Sequence, residues 1–280
     1  MYILAIETTG AFASVALAKS EGAEFEVLAH VQGNDRFSHL QNLTPQIQEV
    51  LAAAGRAVAD KAAGQAVAAD SALSLDDVAA IAVSQGPGSF TGIRIGVSTA
   101  RALAQIKGVP CVAVSSLQAL AQRASGTDRG PEKGWLVCPI FDARRSQVYG
   151  GGYFFDEAID AGPYTIEEFM DEVAMSGHRK VLFMGDGVDA YGDKIRETTG
   201  AGEGTAKPQF AGMEIAFAPE EIRYQDATTV ARIGARLFAE GKTCTYEELQ
   251  PNYMRQAEAE RKLAEKKAAE KAAGQAAEQE

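Results

Sequence analysis

Thirteen residues constrain this chain more than any others: Ser84-Gln85-Gly86-Pro87-Gly88-Ser89-Phe90-Thr91-Gly92-Ile93-Arg94-Ile95-Gly96. The apolar run Val78-Ala79-Ala80-Ile81-Ala82-Val83 before them reads as a buried strand. The stretch after them, from Val97 to Ile106, has helical composition and stops at Gly108. The unit is therefore strand, glycine turn, helix. Gly86 and Gly88 open backbone angles closed to other residues, and Pro87 stiffens the turn between them. Ser89 or Thr91 can cap the helix by accepting from its first free N–H groups. A helix start behind a glycine loop can hold an anion, but the loop has no lysine and no G-x-x-x-x-G-K-[ST] pattern, which excludes a P-loop.

Gly92, Gly96, Ala100 and Ala104 recur every four residues on that helix. Each glycine costs roughly 0.8–1 kcal/mol against alanine in a helix interior, so the stripe needs a reason, and close approach of another backbone is the natural one. That backbone belongs either to the chain's own sheet or to a partner's helix. The expectation carried forward is the partner, with homodimerisation through the same face when the chain is alone.

With an N-terminal Ile6-Glu7-Thr8-Thr9 segment, the motif GPGSFTGIRIG resembles the TsaB family, in motif order over roughly residues 1–255. These are the small subunits of the bacterial tRNA threonylcarbamoyladenosine-forming complex, within the actin-like ATPase and sugar-kinase superfamily. The resemblance implies an α/β fold of two ribonuclease-H-like lobes. The first would cover 1–108 with an alanine-rich insertion at 55–72, and the second 109–225. A late helix at 226–241 would return to the first lobe.

The residues themselves carry much of that plan. Residues 2–7, 13–19 and 25–31 are of strand length with short connections, hence an antiparallel meander. A helix over 38–54 puts Leu40, Leu43, Ile47, Val50, Leu51 and Ala54 on one face, with Pro45 expected to kink or restart it. Ser74 with Asp77, Ser115 with Gln118, and Thr165 with Glu168 are capping pairs, and Asp226 caps a helix that ends at Gly241. In the second half, 111–114, 136–141, 147–155 and 181–184 read as strands, and Gly200 to Gly212 as a glycine-rich connection. Residues 257–280 hold five basic and six acidic residues with Leu263 as the one large apolar side chain, so a frayed helix or disorder is expected there.

The net charge of −11 repels phosphate backbones over long range, so contact with tRNA is expected to be indirect. No apolar run is long enough to span a membrane and the start lacks a basic leader region, which predicts a cytoplasmic protein. Cys111, Cys138 and Cys244 are widely spaced and read as reduced structural thiols.

Chemistry is thinly represented. The catalytic relative of the family, TsaD, carries a His-x-x-x-His metal pair, whereas His30, His39 and His178 include no pair four apart, so no metal site and no cofactor are expected. No serine or cysteine stands in a G-x-S-x-G elbow. Glu7, Thr8 and Thr9 with Gly185, Asp186 and Gly187 occupy the two turns that bracket nucleotide in actin-like kinases. Ala11 and Phe12 make the first a poor phosphate cradle, so these residues are expected to be a vestigial nucleotide cleft. Arg144 and Arg145 read as a solvated turn. The resemblance then implies a non-catalytic scaffold that binds TsaD through Ser38, His39, Leu43, Ile47, Gly92, Arg94, Ile95, Gly96, Thr99, Ala100 and Leu103. It would support threonylcarbamoyladenosine formation beside the anticodon of tRNAs reading ANN codons, with TsaE joining the complex and TsaC supplying the substrate. A small-molecule kinase or ATPase and an inactive peptidase-like chaperone are the alternatives.

Overall fold

The computed structural model describes residues 1–22, 24–33, 39–62, 73–201 and 206–254. Strands β1 (Tyr2–Glu7), β2 (Ser14–Glu21), β3 (Glu24–Gln32), β4 (Val78–Gly86) and β5 (Cys111–Ser115) form one sheet in the order β3-β2-β1-β4-β5. The first three are an antiparallel meander, with Leu4 opposite Leu17, and β4 and β5 continue parallel to β1. Period-two alternation splits β1 between two layers. Leu4 and Ile6 face the core under α1 (His39–Ala62) and α2 (Phe90–Lys107), where Leu43, Ile47, Val50, Ile93 and Val97 are buried. On the opposite face Ile3 and Ala5, with Ala80 and Ala82 of β4, form a second core.

Helix α3 (Ser116–Gln122) leads to a second five-stranded sheet: β6 (Leu136–Asp142), β7 (Gln147–Phe154), β8 (Asp156–Thr165), β9 (Lys180–Met184) and β10 (Glu214–Phe217). Its order, β10-β9-β6-β7-β8, repeats that of the first sheet: a three-stranded antiparallel meander followed by two parallel strands. The protein is α/β with two ribonuclease-H-like lobes. The second is completed by α4 (Ile166–Met175) and α5 (Asp186–Thr199), with Phe169, Val173 and Ile195 fully buried. The short α6 (Glu220–Arg223) then passes the chain to α7 (Ala227–Ala239), which lies on β1 and β2 through Ala227, Val230, Ala231 and Ile233.

The helix ends follow from local chemistry. Ser89 Oγ accepts from the Gly92 N–H at 3.2 Å, and Gly108 closes α2 in the left-handed conformation. Thr165 and Glu168 satisfy each other's backbone N–H groups at the start of α4. Thr165→Ala is expected to cost about 1 kcal/mol, read as a lower urea midpoint at unchanged slope.

Several expectations need correction. The border at 108/109 falls inside the first sheet, because β5 pairs with β4 through the α2 crossover; the second sheet begins only at Leu136. The first helix does not end at 54. It runs through Pro45 and Gly55 to Ala62, so the part of the 55–72 stretch up to 62 continues α1 rather than being inserted. Residues 63–72, Ser38 and the tail lie outside the described residues. Strand β8 and the four-residue β10 were not foreseen. Both are sheet edges, and β8 carries Gly162 and Pro163, which break its apolar alternation.

Candidate functional site

The tip of the β1–β2 turn is occupied by the chain itself. Glu7 is fully buried, with one carboxylate oxygen accepting from the Thr9 N–H at 2.5 Å and the Thr9 hydroxyl at 2.6 Å. Its other oxygen accepts from Ser84 Oγ on β4. Burial pushes the Glu7 carboxyl above its ordinary value, against the pull of these donors. The Thr8 hydroxyl donates to the Gly92 carbonyl at 2.8 Å, and the Ser89 N–H donates to the Thr9 carbonyl at 2.8 Å. A Cβ at Gly88 would stand 2.5 Å from the Thr9 carbonyl oxygen. At Gly92 and Gly96 it would overlap the Thr8 carbonyl oxygen and Thr8 Oγ1. The close neighbour that Gly92 and Gly96 admit is therefore Thr8 of the chain's own first turn, by its backbone at Gly92 and its hydroxyl at Gly96.

The β9–α5 turn is built in the same manner. Gly185 takes φ 99° and donates to the Arg223 carbonyl at 2.8 Å, and a Cβ at Gly187 would stand 2.8 Å from the Ile140 carbonyl oxygen. Asp186 accepts from the Asp142 N–H at 3.1 Å. Burial raises its pKa to about 6, the Asp142 charge adding to the rise and its N–H opposing it. Between the two turns lies a groove of about 280 Å³, lined by Thr9, Ser89, Phe90, Asp142, Arg144 and Asp186 among others. Arg144 is largely exposed, at 3.3 Å from Asp142, and residues 144–146 all take left-handed φ values. Behind the first turn, Asp226 caps α7 and pairs with Arg123 at 2.9 Å and His30 Nε2 at 3.3 Å. Burial alone would raise its carboxyl, but His30, Arg123 and the Thr228 donors outweigh that and hold it below the ordinary range. Among the described residues, no three His, Cys, Asp or Glu side chains gather in a metal-holding arrangement.

The expected interface residues divide. Gly92, Gly96 and Ala100 are buried against the first turn and sheet, and Leu43 and Ile47 lie in the first core, so these five serve interior packing. They do not form a seam on the surface. Arg94 is exposed, Thr99 is half-buried, and Ile95 and Leu103 are half-buried with part of each side chain packed on the first core. His39 opens α1. The sequence reading missed Phe90 and Tyr253. The Arg94 guanidinium lies 3.9 Å from the Phe90 ring centre, and its Nε donates to the Tyr253 hydroxyl at 2.9 Å. The i,i+4 spacing of Phe90 and Arg94 was a usable signal; Tyr253, far away in sequence, offered none.

Comparison with known proteins settles the family. A family model described as TsaD, tRNA N6-adenosine threonylcarbamoyltransferase, matches residues 26–263. A tRNA threonylcarbamoyladenosine biosynthesis protein TsaB from Escherichia coli is 30% identical over 94% of this chain and 98% of its own length. The chain belongs to the family of TsaD and TsaB proteins. A Bacillus subtilis TsaB is 28% identical over 95% of this TsaB-like chain and 99% of its own. The fold agrees with a Pseudomonas aeruginosa crystal structure described as similar to peptidase YeaZ, at TM-score 0.64 and 23% identity over 91% of this chain and 99% of that one. Among the described residues of the TsaB-like chain, no helix is long and apolar enough to cross a membrane.

Proposed function

We propose that this chain is a non-catalytic subunit in tRNA threonylcarbamoyladenosine biosynthesis that docks a TsaD partner through the outer faces of α1 and α2. The observation that carries the reading is the state of the first turn. Both Glu7 oxygens are engaged by Thr9 and Ser84, and the α2 glycines press on Thr8, so the Glu7 carboxylate is not presented to a substrate phosphate. What α2 does present is a mixed face: Arg94 on Phe90, half-buried Ile95, Thr99 and Leu103, and Ile106 at 78% exposure. An exposed arginine on an aromatic ring beside apolar side chains is the composition of a protein-binding hot spot. TsaE joins the assembly, TsaC supplies the activated threonylcarbamoyl group, and tRNAs reading ANN codons are reached through TsaD. Alone, the same face pairs two copies in a homodimer.

The double variant Arg94→Glu/Ile106→Glu tests this with purified TsaD. It is expected to keep its melting temperature within about 4 °C, because two surface changes of roughly ±0.5 kcal/mol each sum to about 1 kcal/mol. Its affinity for TsaD should fall tenfold or more. Wild-type affinity in the double variant would overturn the docking assignment. The Asp142–Asp186 groove favours a second reading, a retained small-ligand site, and calorimetric titration of magnesium-ATP into the lone chain separates the two. Stoichiometric binding lost on Asp186→Ala would support the groove.

A further inference from the structure

After α7 the chain returns along the first sheet, and at Cys244 it meets the edge strand β5. The Cys111 N–H donates to the Cys244 carbonyl at 2.9 Å, and the Cys244 N–H donates back to the Cys111 carbonyl at 2.9 Å. This reciprocal pair is an isolated antiparallel bridge. It sets the two cysteines directly opposite, with side chains on one face and Cα atoms about 5.5 Å apart. Disulfides span Cα separations of about 4.4–6.8 Å. Cys244 Sγ lies 3.7 Å from the Cys111 carbonyl oxygen, so the thiol leans onto its partner residue. Both thiols are free; Cys111 is buried and Cys244 half-buried. We propose that Cys111 and Cys244 are a thiol–disulfide modification site that, once oxidised, clamps residues 244–254 onto the first lobe.

The bridge has no paired neighbour on either side, so the strap can shift to bring the Cβ atoms from about 5 Å to the roughly 3.8 Å a disulfide needs. Beyond Cys244 the strap touches the first lobe at several further points, Tyr246 packing on the first core among them. Leu249 is buried in the first core, the Asn252 N–H donates to the Gln85 carbonyl at 2.7 Å over the glycine turn, and Tyr253 receives Arg94. The bond would close a loop spanning 133 residues and fix the strap at its root.

The oxidant is a small-molecule disulfide. The Cys244 thiolate attacks one sulfur of oxidised glutathione, forming a mixed disulfide and expelling one glutathione thiolate. The Cys111 thiolate then attacks Cys244 Sγ and expels the second. Two protein thiols are oxidised and one glutathione disulfide is reduced to two glutathione thiols, which take up the two protons the cysteines lose. Burial pushes the Cys111 thiol up to about 11 and raises Cys244 as well, so the reaction is run at pH 8.5 to populate thiolate.

The test treats the folded full chain with oxidised glutathione, then alkylates under denaturing conditions and maps peptides without reduction. Free thiols should fall from the three in the sequence to one, Cys138, which is fully buried in the second sheet. A linked peptide pair should carry Cys111 and Cys244, denaturing electrophoresis without reductant should show single, uncrosslinked chains, and the melting temperature should rise by several degrees until a dithiol is added. Cys138→Ser should leave the linkage intact and Cys244→Ser should abolish it. If that variant fails to fold, the wild-type map alone decides. Three remaining thiols, glutathione left on Cys244, or a bond between chains would each overturn the proposal.

Discussion

Gly92→Ala is expected to melt about 6–12 °C below the wild type. Two effects oppose each other. In an ordinary helix the exchange gains roughly 0.8–1 kcal/mol, which predicts a higher melting temperature. Here the new Cβ would overlap the Thr8 carbonyl oxygen, which is backbone and cannot swing aside. Forcing an extra group into a packed interior costs on the order of 1–3 kcal/mol or more, and the displacement would also strain the Thr8–Gly92 and Ser89–Thr9 hydrogen bonds. Overpacking of about 2 kcal/mol and two strained hydrogen bonds at about 1 kcal/mol each, less the helix gain of about 1, leave a net loss near 3 kcal/mol, which gives the stated shift at roughly 2–4 °C per kcal/mol. Ala102→Leu, on the exposed side of the same helix, should leave the melt unchanged. A Gly92→Ala protein more stable than wild type would mean that α2 does not rest on the first turn. Gly96 faces Thr8 Oγ1, a side-chain atom that can rotate at the expense of its bond to the Gly92 carbonyl, so Gly96→Ala should lose less than Gly92→Ala.

Asp226→Ala should lose a comparable amount, about 3 kcal/mol. The change removes the α7 cap, about 1 kcal/mol, and strands the Arg123 guanidinium. Removing one partner of a wholly buried pair costs roughly 3–5 kcal/mol. The figure here is lower, because Arg123 is 17% exposed and keeps its hydrogen bond to the Glu221 carbonyl. The folded state holds the Asp226 carboxyl below its ordinary value. Its contribution is therefore complete above the unfolded-state value, about 3.9, and disappears as pH falls through the lower folded one. Urea unfolding of both proteins from pH 7 to 3 should show the gap between them narrowing only below about pH 4. A gap that stayed constant to pH 3 would show that the carboxylate charge contributes nothing.

Much of the fold was legible because it is decided locally. Ser89, Ser115, Thr165 and Asp226 cap helices wherever such residues precede an apolar period, and the structure uses all four. Val78–Gly86 and Phe90–Lys107 were readable from the switch between strand and helix periods. The direction of the small-residue stripe was not. A four-residue repeat says that some backbone comes close, but not whose, and Thr8 lies 84 residues away. The end of the first lobe was misplaced for a related reason. Gly108 ends a helix, but a parallel strand needs a crossover before it, so the lobe closes only after β5. At the candidate site, Thr9 and Asp186 from the two turns line one groove. Asp142 of β6, which shapes the acidity of that groove, could not be found from either turn motif.

The helix that covers the second face of the first sheet is α7, and its first N–H is fixed by Ser14 Oγ across 213 residues. During synthesis β1 to β5 therefore emerge with the Ile3, Ala5, Ala80 and Ala82 face bare. At roughly 5–20 residues per second the ribosome takes on the order of 10 s to pass from β5 to the strap, while the second sheet, contiguous from Leu136 to Phe217, is already complete. The half of the nascent chain made first is thus the half that closes last, held open until its final residues arrive.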